Sequence, residues 1–210
     1  MLITAMSSDV HAPVSEALKY SADSRAFIWS QLLGTLFKPN PRTTLAFAYG
    51  SMTLEHQRAI LMLVTNKLSG SALALLRPQI ETVFRGLWAM RCASEAQVEA
   101  IGQSGATPFP QFRDMAGVLD KAYGAGDFFH GIACKWGVLN GFTHSGLEQL
   151  GRRFQPNGRV EPNYSESQIV TLLRASADVS LVLFDQVFIL TGHQDKAAAL
   201  RNWLDRYDKV

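Results

Sequence analysis

The sequence predicts an all-α protein, a single-domain helical bundle of about seven or eight helices over residues 1–210, and three observations predict it. Apolar residues recur three and four positions apart almost throughout, which gathers them on one side of a helix. No run shows the sustained apolar and polar alternation between turn signals that marks a strand. At 210 residues the chain can bury a substantial core without disulfides or structural metals.

The elements follow in order. A first helix is expected over 13–36, with Val14, Leu18, Phe27, Ile28, Leu32, Leu33 and Phe37 on its buried side. The stretch KPNPRTT at 38–44 stops it, because two closely spaced prolines prevent continuation. Helices over 45–68 and 71–93, separated by SGS, should form an antiparallel hairpin. Ser94 is a candidate cap for a short helix over 94–102, and GQSGATPFP at 102–110 reads as a mobile loop. Helices over 111–123 and 127–150 are joined by GAG, QPNGRVEPN forms a second polar loop, and Gly192 separates helices over 165–191 and 193–207.

Apolar residues make up 47% of the chain and charged residues 18%, which points to a face covered by a second copy, a homodimer. A net charge of +2 gives no indication of DNA or membrane binding, and no uncharged apolar stretch is long enough to span a bilayer. The two cysteines, Cys92 and Cys134, read as reduced thiols in apolar helical surroundings, and the N-terminus lacks the pattern of a secretory signal, so a cytoplasmic address is expected.

Within SALALLRPQIETVFRGLWAM, residues 71–90, three ionisable groups stand four residues apart on a greasy helix: Arg77, Glu81 and Arg85. At about 100° per residue, Arg77 and Glu81 fall on the apolar face and Arg85 nearer its edge. Glu81 can reach both arginines, since residues four apart on a helix are neighbours. Pro78 removes a backbone donor, so the helix should kink or restart there, and the carbonyl near residue 74 is left wanting a partner. The ladder is therefore either an internal brace or the lining of a pocket that takes a phosphate or carboxylate, ligands that suit arginine's planar fork.

A second polar group interrupts KWGVLNGFTHSGLEQL, residues 135–150, where Asn140, Thr143 and His144 border the apolar face. His144 is a hydrogen-bonded histidine at the core edge or an acid–base group, because imidazole titrates near neutrality. Cys134, Gly137 and Gly141 form a stripe of small residues against which another helix could lie closely. His130 and Cys134 are one turn apart but lack a completing pair, and no HExxH, phosphate loop or GxSxG is present, so neither metal nor cofactor is expected. GAGDFFHG has the wrong glycine spacing for a dinucleotide fingerprint and follows no strand. Trp88, Trp136 and Phe142 read as core rather than as a stacking platform for bases.

Taken together, SALALLRPQIET, RGLW and the later LNGFTHSG resemble a bacterial helical family of unknown function related to the HEPN superfamily, over roughly residues 50–155. That resemblance implies an all-helical, commonly dimeric protein of the kind found in toxin–antitoxin, abortive-infection and other defence systems. Active members cleave RNA with an Arg-polar-xxx-His motif near a dimer interface. Asn140 and His144 match the polar and histidine positions, whereas Leu139 stands at the arginine position. Leucine can neither move a proton nor stabilise charge on a phosphate, so activity would require Arg77 or Arg85 to reach His144 from another helix.

The leading expectation is a binding or regulatory module with an RNA or protein partner, its polar cluster formed by Arg77, Glu81, Asn140, Thr143 and His144. The alternatives are a metal-independent endoribonuclease, with His144, Arg77 and Arg85 as its catalytic groups, and a purely structural oligomeric module.

Overall fold

A computed structural model describes residues 12–101 and 108–207. Among these residues the chain forms ten helices: α1 (Ala12–Leu32), α2 (Pro41–Thr65), α3 (Ser69–Arg91), α4 (Glu95–Ala100), α5 (Phe112–Tyr123), α6 (Phe128–Cys134), α7 (Trp136–Thr143), α8 (Leu147–Gly151), α9 (Glu166–Leu190) and α10 (Gln194–Tyr207). The described residues contain no strand, only an isolated antiparallel bridge between Phe154 and Val160. The all-α expectation is borne out. The higher helix count comes from the segment expected as one helix over 127–150, which is three short ones.

The hairpin of α2 and α3 is the centre of the fold, with α9 packed on both and on α1, and α7 laid against α3. One hydrophobic core runs through it, including fully buried Ile28, Ile60, Leu87, Leu183 and Phe188. Gly50 on α2 admits the ring of Phe184, whose Cζ lies 2.8 Å from where a β-carbon at residue 50 would stand.

Local chemistry explains the boundaries. KPNPRTT does more than end α1, because Asn40 also starts α2. Its Oδ1 accepts from the Thr43 N–H at 2.9 Å, Thr43 Oγ1 accepts from the Asn40 N–H at 2.9 Å, and Pro41 takes the first helical position, where its missing donor costs nothing. Ser94 and Ser165 cap α4 and α9 in the same reciprocal way.

The turn between α2 and α3 lies at Asn66–Leu68 rather than at SGS, which is already helical. There Leu68 N–H donates to Leu63 O at 2.8 Å and Lys67 takes a φ of +59°, the left-handed position that usually belongs to glycine. Gly192 occupies the equivalent place after α9, with a φ of +81° and the His193 N–H donating to Phe188 O at 2.8 Å.

Gln79 on α3 reaches α9 inside the core. Its Nε2 donates to Ser176 O at 2.9 Å and Ser180 Oγ at 3.1 Å, and its Oε1 accepts from Ser176 Oγ at 2.7 Å. Gln57 on α2 does the same toward α1, donating to Ser21 O and Ser24 Oγ at 3.0 Å. These two glutamines fix helix register through directional bonds that apolar packing alone does not supply.

Pro78 does not divide α3, which runs unbroken from Ser69 to Arg91. The Ala74 carbonyl, deprived of its donor four residues on, lies 3.2 Å from Thr143 Oγ1, whose hydroxyl also lies 3.0 Å from Leu139 O. A hydroxyl from α7 therefore satisfies the gap that proline opens in α3 and ties the two helices together at that point.

Candidate functional site

Arg77 and His144 meet across the α3 and α7 contact, with Arg77 Nη1 3.3 Å from His144 Nε2. A guanidinium can only donate, so His144 Nε2 is the acceptor and is unprotonated in this arrangement. The Arg77 guanidinium also sits 4.8 Å from the centroid of the Trp136 ring, and that ring is stacked on Phe112 at 3.6 Å. Trp136 thus serves as a platform for a cation, with one contact already taken by Phe112.

The ladder is paired asymmetrically. Glu81 Oε1 lies 2.5 Å from Arg85 Nη2, whereas Glu81 Oε2 is 3.9 Å from Arg77 Nη2. These side chains are half-buried, with relative exposures of 21% for Arg77, 25% for Glu81 and 41% for Arg85, so the expected internal brace is a rim structure in contact with water. Arg85 lies 5.2 Å from the centroid of the Phe109 ring.

Beside the ladder opens a cleft of about 290 Å³ lined by Arg77, Glu81, Arg85, Phe109, Gln111 and Trp136, among others. His144 is exposed and does not line this cleft; Arg77 stands between the two. Asn140 precedes His144 by one helical turn, and the Thr143 hydroxyl is shared between the Ala74 carbonyl of α3 and the Leu139 carbonyl of its own helix.

Two buried atoms in the cluster, Arg77 Nε and Asn140 Oδ1, have no hydrogen-bond partner. One is a donor and the other an acceptor, which leaves the cluster short of bonds of both kinds. The turn carrying His144 is compact: Ser145 has a φ of +54° and the Gly146 N–H donates to Gly141 O at 2.7 Å. Glu148 of α8 folds over Gly141, filling the place a β-carbon would occupy.

Among the described residues the small-residue stripe meets α8 only at Gly141, through Glu148. Nothing lies within 4 Å of a β-carbon placed at Gly137, and Cys134 is exposed rather than set in apolar surroundings. Among the described residues no group of three or more His, Cys, Asp or Glu side chains could hold a metal, and no helix is long and apolar enough to cross a membrane. Residues 102–107 of the loop expected to be mobile lie outside the described residues.

Sequence reading missed Asp120, a buried carboxylate on α5 whose two oxygens accept the Phe129 and His130 N–H groups at 2.9 Å each. It caps α6 from outside that helix, and nothing local in the sequence signals a partner nine and ten residues away.

A family model described as a family of unknown function, DUF6988, matches residues 50–210. The chain belongs to DUF6988. The matched span of this DUF6988 chain contains Arg77, Glu81, Arg85, Asn140, Thr143 and His144, and the family description names no activity. No curated protein matches the chain. No solved structure matches it.

Proposed function

We propose that this DUF6988 protein is a HEPN-like binding module whose partner is RNA, held through a phosphodiester at Arg77 and His144. The observation that carries the reading is the 3.3 Å approach of Arg77 Nη1 to His144 Nε2 from two different helices. Leu139 leaves the arginine position of the motif empty on α7, and Arg77 of α3 supplies a guanidinium at the histidine instead.

The contact is suited to an anion. When the imidazole takes up a proton, two cations face each other, and a phosphate between them removes the repulsion while accepting hydrogen bonds from both. Arg85, which also lines the cleft, adds a second cationic contact for a chain of phosphates.

Cleavage is the second reading, favoured by the same pair: a histidine in reach of a guanidinium offers both a proton-transfer group and charge stabilisation. Binding is preferred because His144 stands outside the cleft and Glu81 neutralises part of the ladder's charge.

The test is fluorescence anisotropy with a labelled single-stranded RNA oligonucleotide, each sample then run on a denaturing gel. Wild-type protein is expected to bind with an affinity that falls as salt rises, and Arg77→Met and His144→Ala to bind about tenfold or more weakly with the RNA intact. Products that vanish in His144→Ala would establish the nuclease instead. Equal binding by wild type and both variants, with unchanged melting, would remove the site from consideration.

A further inference from the structure

A second cavity, sharing no lining residue with the cleft beside Arg77, lies among α1, α2 and α9. It has a volume of about 480 Å³ and is walled by Trp29 and Leu32 of α1, by Phe37, and by Phe47 and Leu54 of α2, with Phe184 of α9 among its lining residues. Its size is that of a small-molecule pocket, and its lining is mostly aromatic and aliphatic with a few charged groups at the mouth.

Those charged groups are unusual in their pairing. Arg25 and Arg58 both line the cavity, and among the described residues neither forms an ion pair. Arg25 Nε is buried and has no hydrogen-bond partner. Burial and the neighbouring Arg58 charge both push the Arg25 guanidinium below its ordinary value. Glu55 also stands at the mouth, exposed, without engaging either arginine. Two like charges beside an apolar cavity, one of them with an unmet donor, are arranged for a negative group that enters with an apolar body behind it.

We infer that this groove binds an anionic amphiphile, its carboxylate or phosphate head between Arg25 and Arg58 and its hydrocarbon tail along Trp29, Leu32, Phe37, Phe47 and Leu54.

The experiment is isothermal titration calorimetry of the full chain with decanoate, decyl phosphate and decyltrimethylammonium, each below its micelle concentration. Decanoate is expected to bind and the cation of equal tail not to. The tighter of the two anions identifies the head group as carboxylate or phosphate. Arg58→Met, at an exposed position, should weaken anion binding about tenfold or more, the loss of one charge-assisted contact. Ser51→Trp, which fills the groove from its exposed edge, should abolish binding. Failure of both anions to bind would overturn the inference. So would wild-type affinity in the two variants once circular dichroism shows them folded, or equal binding of the cation.

Discussion

Thr143 shows how much one side chain can carry. Its hydroxyl serves the Ala74 carbonyl that Pro78 leaves without a donor, at 3.2 Å, and so couples α7 to α3 beside the Arg77 and His144 contact. Thr143→Val keeps the shape and removes the donor, and is expected to lower stability by about 1 kcal/mol in a urea titration, because the one proton is shared with Leu139 O. Gln79 has more at stake, since its amide joins Ser176 and Ser180 in the sealed interior; Gln79→Leu is expected to cost about 2 kcal/mol or more by the same measurement. Glu81 should behave differently. Its close partner Arg85 is partly in contact with water, so Glu81→Gln is expected to change stability by about 0.5 kcal/mol or less, while freeing both arginines and tightening RNA binding at low salt. Asp185 gives a pH dependence. Burial raises its carboxyl above the ordinary range, and Arg201 at 3.2 Å and Gln186 only partly oppose this. A carboxyl raised on folding contributes stability that is present below its unfolded value and lost as pH rises through its folded value. The melting temperature of wild type measured relative to Asp185→Asn is therefore expected to decline as pH rises across the acidic range.

At the scale of the element, boundaries were legible wherever a side chain within a few residues sets them. Ser94 and Gly192 could be read as cap and stop because their partners, Gln97 and Ile189, are local. The start of α2 was placed too late because the prolines of KPNPRTT read only as a break, whereas Asn40 and Pro41 together make an initiation signal. The three-way division of 127–150 was not legible. Its apolar spacing is continuous; Ser145-Gly146 at the second break is a turn dipeptide that the apolar periodicity outweighed, and Lys135, where the first break falls, carries no turn signal. The same applies to Lys67, held at a φ of +59° between α2 and α3. Lys67→Gly is expected to raise stability by about 0.5 kcal/mol, seen as a higher urea midpoint, because glycine takes that conformation without a clash against its own β-carbon.

At the scale of the whole molecule, the sequence showed two polar groups bordering apolar helix faces and a carbonyl near residue 74 left without its donor by Pro78; that Thr143 of α7 answers that carbonyl, and so brings Arg77 and His144 together, is seen only in the fold. What the sequence could not convey is the division of roles after folding. Glu81 is closest to Arg85 rather than to Arg77, His144 stands outside the cleft, and the second pair of arginines, Arg25 and Arg58, comes together only when α1 folds onto α2. These outcomes depend on helix rotation and on loops, which local spacing does not encode. The central claim is that an RNA phosphate occupies the space between Arg77 and His144. Nitrogen-15 spectra of the imidazole rings, with His144 assigned by comparison with His144→Ala, test it most directly. On titration with a short RNA the His144 Nε2 resonance is expected to shift, and to stay put in Arg77→Met; an unchanged His144 signal at saturating RNA would contradict the claim.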